Sequence, residues 1–213
     1  MGFTIAVMGS TMLLAGSLGS CAFFTDEGFQ PVQNNVRLTA NVTYPSDLDI
    51  DGPAGTANTE MDEQGYELAY EWEDADGFAP YVQYGRGSWP FDWPGEVDFM
   101  RWPAGARWYT EQLGDEGGWL DNTRAFGDLG LSILDPDTFY DGTESHRFHS
   151  ALELKAGTGL QRHLHNGVFF ELGLLAHLGQ TQEVVRDQVA LTSAENDWDW
   201  YRLMLTIGVG VRF

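Results

Sequence analysis

Lysine is almost missing from this chain. Lys155 stands alone beside ten arginines, against 32 Asp and Glu, and the formal net charge is −21. Phosphate contacts need clustered Lys and Arg, so this balance excludes nucleic acid as a partner. It suits a solvated acidic surface and divalent cations. Cysteine occurs once, as Cys21, so no internal disulfide can form. Helical spacing is also missing. Beyond residue 25 no segment repeats apolar residues every three to four positions, which excludes a helical fold. Charge is absent from Phe3 to Phe24, and the first basic residue is Arg37.

What is present is glycine, with 26 residues, and aromatics, at 14% with eight Trp. The uncharged run holds "TMLLAGSLGSC", an apolar core followed by small residues, which reads as a secretory signal over residues 1–21. Its end, "LGSC", resembles a bacterial lipobox, which implies lipidation of Cys21. Residues 22–34 are expected to form a short periplasmic segment, and 35–213 the folded domain.

The folded part alternates. In "YRLMLTIGVGVRF", Tyr201, Leu203, Leu205, Ile207, Val209, Val211 and Phe213 take every odd position, and Arg202, Met204, Thr206, Gly208, Gly210 and Arg212 the even ones. Side chains alternate faces along a strand, so one face is wholly apolar. Seven more segments alternate in the same way: "NVRLTANVTY", "YELAYEWE", "FAPYVQYGR", a stretch within Glu96 to Leu113, "TRAFGDLGLSIL", "RFHSALELKAGTGLQ" and "VFFELGLLAHLG". The connections alternate too. "DADG" and "HLHNG" are tight and "GDEGGWLDN" is intermediate, whereas 45–64, "GSWPFDWPG", "DPDTFYDGTES" and 180–197 are long. Eight strands with short turns at one end and long loops at the other describe an antiparallel up-and-down transmembrane β-barrel of the bacterial outer membrane.

Orientation of the faces separates this from a soluble ligand-binding barrel anchored at Cys21, whose apolar side would point inward. The polar faces are rich in Gly157, Gly159, Gly173, Gly208 and Gly210, which suits a narrow interior and only weakens a solvated strand. They also carry both charge signs, with Glu67, Glu71, Asp128, Glu153 and Glu171 able to pair with Arg37, Arg107, Lys155, Arg202 and Arg212. Glu153, Lys155, Glu171 and Arg202 lie on three consecutive strands and are expected to meet in the lumen as a charge network. Eight strands leave an interior that side chains fill, so no open pore is expected. Both barrel ends, "DADG" and "HLHNG" should face the periplasm.

From about Asn35 to Phe213, and most closely in "LELKAGTGLQRHLHNGVFFELGLLAHLG", the chain resembles the small eight-stranded outer-membrane barrels: the OmpA transmembrane domain, the OmpW and OmpX type, and the PagL-like lipid A deacylases. The resemblance implies contact with outer-membrane lipid and lipopolysaccharide. It also implies a role for Phe213 as the terminal aromatic read by the assembly machinery. The deacylases carry a His and, two residues later, a Ser nucleophile. Here "AHLGQ" keeps His177 but has Gly179 in the nucleophile's place, so acyl transfer by that route fails. No catalytic residue is therefore expected.

Two further patterns stand out. "SDLDIDGPAGT" spaces Asp47, Asp49 and Asp51 before Gly52, an arrangement that suits a calcium loop. Tyr70, Trp72, Trp102, Trp108, Trp198, Trp200 and Tyr201 lie near strand ends, where interfacial girdles belong. "SWPFDWPG" reads as a loop with Trp89, Phe91 and Trp93 on the rim or on a contact surface. The leading class is a structural or surface-binding barrel. A lipid-modifying enzyme and a lipid-anchored soluble barrel are the alternatives.

Overall fold

The computed structural model describes residues 24–25, 28–29, 33–43, 47–53, 55–60, 63–91, 95–114, 116–140, 143–164, 167–187 and 192–213. The proposed signal and Cys21 lie outside the described residues.

Eight antiparallel strands form a ring. They are β1 (Gln33–Thr43), β2 (Gln64–Glu73), β3 (Phe78–Phe91), β4 (Gly95–Gln112), β5 (Thr123–Pro136), β6 (Ala151–His163), β7 (Val168–Asp187) and β8 (Ser193–Arg212). Each pairs with its neighbours in sequence, and β8 closes on β1 in a register running from Met204 opposite Thr43 to Arg212 opposite Asn35. Closure removes the free edges that an open sheet would expose. Past the last strand residue, Phe213 N–H donates to Asn34 O at 2.9 Å and Asn34 N–H to Phe213 O at 3.0 Å.

The turns follow from local chemistry. In "DADG" the Asp74 carboxylate accepts from the backbone N–H groups of Asp76 at 3.0 Å and Phe78 at 2.9 Å. Gly77 supplies the left-handed residue, with φ at 79°. At the other short hairpin, Leu164 N–H donates to Val168 O at 2.7 Å, and Gly167 again takes positive φ.

Apolar residues face out. Leu129, Leu131 and Ile133 on β5, Phe170, Leu172 and Leu174 on β7, and Ile207, Val209 and Val211 on β8 are each 42–59% exposed. That is the lipid-facing band of a membrane barrel, with the opposite polarity to a soluble barrel. Tyr84 stacks near Trp102 at 4.7 Å and Phe78 near Trp108 at 5.5 Å, towards the two edges of the band.

β7 and β8 are each twenty residues long. At about 3.3 Å per residue they extend roughly 66 Å, well beyond what a hydrocarbon band of about 25 Å requires even with tilt. The outward face records where the band stops. Leu178 pairs with Tyr201, and the next outward pair is Gln180 with Asp199. Beyond it the two strands continue as an arm. Asp47–Gly52 and Gly55–Glu60 add to β8 on one side, and Glu144–Phe148 and Phe139–Tyr140 to β7 on the other.

This arm corrects several readings of the sequence. The segment 180–197 is mostly strand, not loop, because β7 runs to Asp187 and β8 starts at Ser193. "SWPFDWPG" is hairpin: β3 ends at Phe91 and β4 begins at Gly95. Trp89 faces inward and is fully buried, whereas Trp93 and the Phe91 side chain lie outside the described residues. Trp198 and Trp200 are also inward and buried, so neither belongs to a girdle. Phe148 is buried as well, because His149 and Ser150 interrupt the strand and break the alternation carried from Leu152.

Candidate functional site

Among the described residues, polar chemistry is concentrated in the lumen. Inward positions of β2 carry Glu67, Glu71 and Glu73, and Glu63 continues the same odd-numbered side just before the strand. Facing them are Arg37 from β1, Arg101 and Arg107 from β4, Arg124 and Asp128 from β5, Glu153 and Lys155 from β6, Glu171 from β7, and Arg202 and Arg212 from β8. Seven carboxylates thus meet seven cations inside a ring, and most of them are fully buried.

They sort into tiers along the axis. Nearest the arm, Arg101 donates to both oxygens of Glu63, at 2.7 and 2.9 Å, and its Nε lies 2.8 Å from Glu153. Arg202 bonds both Glu63 and Glu153. Ser132 Oγ donates to Glu153 at 2.8 Å. Below this, Lys155 Nζ donates to Gln83 at 2.8 Å and lies 3.7 Å from Glu67 and 3.8 Å from Asp128. Tyr81 donates to Asp128 at 2.7 Å. The next tier joins Arg107 to Asp128 and Glu171, both at 2.7 Å, and Arg37 to Glu71 and Glu171. Near the short turns, Arg124 and Arg212 share Glu73. Charges removed from water cost several kcal/mol each unless paired, and here every one has a partner.

The four residues singled out in the sequence are therefore all buried, but they do not form one cluster. Glu153 and Arg202 meet directly. Lys155 joins the second tier, and Glu171 the third. Glu63, Arg101, Glu73 and Arg124 complete the lattice and were not singled out. The available signal was parity: Glu63 continues the odd-numbered side of Glu67, Glu71 and Glu73, and Arg101 shares its side with Arg107.

Above the first tier the interior turns apolar. Leu48, Trp89, Val97, Phe99, Leu134, Phe148, Ala151, Trp198 and Trp200 form one buried cluster. It is tied to the charges beneath it, since the Trp200 indole N–H donates to Glu153 at 3.1 Å and that of Trp89 to Glu63 at 3.4 Å. An aromatic plug thus sits on an ion-pair lattice.

The residues aligned with deacylase chemistry lie inside this lumen. His177 is fully buried, 3.5 Å from Glu153, between Lys155 and Arg202 on the flanking strands. Gly179 is covered by the Trp200 indole, and a methyl there would sit 2.5 Å from the ring. Neither position opens towards lipid.

Asp47, Asp49 and Asp51 lie on a strand and not in a wrapping loop. Alternate residues of a strand are roughly 6.6 Å apart along one face, so the three positions run in a line and not around a loop. Asp49 and Asp51 instead stand opposite Asp199 and Asp197 of β8, and Thr56 Oγ1 donates to Asp51. Among the described residues, no group of three or more His, Cys, Asp or Glu converges as a metal site would require.

An eight-stranded ring with lipid-facing Leu and Val, aromatic edges and a charged, packed lumen is the architecture of the small bacterial outer-membrane β-barrels. Solved structures of that fold match it. OprG from Pseudomonas aeruginosa superposes with TM-score 0.59 at 16% identity, over 85% of this chain and 96% of that one. Neisserial surface protein A gives 0.54 at 13%, over 84% and 97%. A major outer membrane protein from Thermus thermophilus gives 0.51 at 13%, over 84% and 99%. No family model and no curated relative matches the chain.

Proposed function

We propose that this protein is a closed, non-catalytic barrel of the bacterial outer membrane that presents a rigid acidic arm as a surface for binding. The observation that carries this reading is the filled lumen, in which a buried ion-pair lattice lies beneath an apolar plug. An interior of this kind supports the fold and leaves no continuous aqueous path. Function then belongs to the outer surface of the arm. There Asp49, Asp51, Asp197 and Asp199 form two like-charge pairs directly across strands. Facing carboxylates concentrate negative charge at one exposed place on the arm, which suits a cationic partner. The arm faces the cell exterior and the short turns face the periplasm. Contact with lipopolysaccharide around the band and delivery by the outer-membrane assembly machinery belong to the same reading.

A lipid-modifying role has less support. His177 is walled off from acyl chains, and Gly179 has neither a hydroxyl nor room for one.

Single cysteines placed at Asp187 and at Asp76 test the orientation, in a chain whose Cys21 is replaced by Ser. On intact cells a membrane-impermeant maleimide should label the arm position and spare the turn position until the outer membrane is opened. Labelling of Asp76 alone would reverse the reading.

A further inference from the structure

Of the four basic residues outside the lumen, Arg162 is the one placed at the short-turn end of the lipid-facing surface. It lies on the outward side of β6, two residues beyond Leu160 and directly opposite the lipid-facing Phe170 of β7. Its guanidinium makes no hydrogen bond or ion pair with any described residue. The other three stand at the far end. Arg86 lies 3.3 Å from Asp98, and Arg147 and Arg186 belong to the arm.

A cleft of about 570 Å³ opens beside Arg162. Its other wall is the β4–β5 turn, through Gly117, Gly118 and Asn122, and Leu164 closes one side. The turn is well organised. Asp121 accepts from Gln112 Nε2 at 2.6 Å and from Gly117 N–H at 3.0 Å, and Gly117 and Asn122 both take positive φ. The Asp121 carboxylate, the one anion in the cleft lining, is thereby occupied within its own turn. At the tip stands Trp119, 80% exposed, with Leu113 and Leu164 each 45% exposed nearby in sequence or across the cleft.

We propose that this cleft holds the headgroup of one glycerophospholipid, with Arg162 on the phosphate, the Asn122 amide as a second polar contact, and Trp119 anchored at the glycerol level. Continuity carries the choice of occupant: the cleft opens from the same surface as Leu160 and Phe170, so acyl chains can lie on the band while the phosphate reaches the cation. Guanidinium suits a phosphate because its N–H groups donate in pairs. Tryptophan suits the interface because its ring is apolar and its N–H needs a wet partner. The lipid class rests on the orientation proposed above, which turns this end towards the phospholipid leaflet.

Native mass spectrometry of the detergent-solubilised protein with added phosphatidylglycerol tests the site. Detergent presents lipid to both ends, so the outcome does not depend on orientation. The wild type should retain one lipid. Arg162→Gln should reduce that occupancy at least tenfold, Trp119→Ala should reduce it several-fold, and Arg86→Gln should leave it unchanged. Heat-modifiable gel mobility verifies that each variant is folded. Equal lipid retention by folded Arg162→Gln overturns the proposal. So does displacement of the lipid by inorganic phosphate alone, which would mark a site for soluble anions.

Discussion

Arg101 on β4 holds Glu63 in a two-pronged grip, 2.7 and 2.9 Å, from a residue that lies just outside any strand. Through Glu63 the connection between the first two strands is drawn down into the lumen, under Trp89 and against Arg202. The pair therefore links loop, plug and barrel wall.

Replacing Glu63 with Leu leaves Arg101 and Arg202 buried and sharing Glu153, with Glu67, 3.5 Å from Arg101, as the other carboxylate in reach. Breaking a buried pair costs about 3–5 kcal/mol. Unfolding by urea in detergent, followed by gel mobility, should move to a clearly lower midpoint. Glu111→Leu, at an exposed position of β4, should leave the midpoint in place. Glu183 would be a poor control, although the sequence puts it in a loop. Its carboxylate is buried in the arm and accepts from Asn196 at 2.8 Å and Trp198 at 3.1 Å.

Ring closure depends on the last residues of β8. Phe213 and Asn34 exchange two backbone bonds, and the Phe213 ring is 68% exposed on the lipid side. Deleting Phe213 removes both bonds, and Phe213→Asp puts a charge where lipid lies. Both variants should show reduced outer-membrane insertion in fractionated cells, with periplasmic degradation. Normal insertion of the deletion variant would show that this closing pair is dispensable.

Alternation made the ring legible. Period-two patterning identified the strands, and both charge signs opposite apolar residues identified the lumen. What alternation could not reveal was the point where the interior changes character. Trp198 and Trp200 share their face with Arg202, so parity alone places all three inward, yet aromatics near a strand end read as girdle. The arm was hidden for a related reason. Its outward residues Gln180, Asp197 and Asp199 are polar, and above the band a strand with a polar outer face reads as loop. The partners within the lattice were equally hidden, since pairing depends on stagger around the ring and not on position within one strand. Glu171 and Arg202 share a hairpin, yet they join different tiers.

Gly179 is explained by packing against Trp200, so restoring a hydroxyl there should damage the fold and create no esterase. Gly179→Ser should lower the unfolding midpoint, because its Cβ would sit 2.5 Å from the indole. Mass spectra of lipid A should be the same from cells with the wild type, with His177→Ala and with no protein. Loss of an acyl chain that requires His177 would make the enzyme reading the leading one.

The proposal of a closed lumen is tested most directly by electrical recording across planar bilayers. Purified refolded protein, shown to be inserted by its heat-modifiable mobility, should give no stepwise current at either polarity. Trp89→Ala should also remain silent, because the ion-pair lattice beneath the plug still fills the ring. Recurrent steps of uniform size from the wild type would mean that ions pass through the barrel, and would contradict the account.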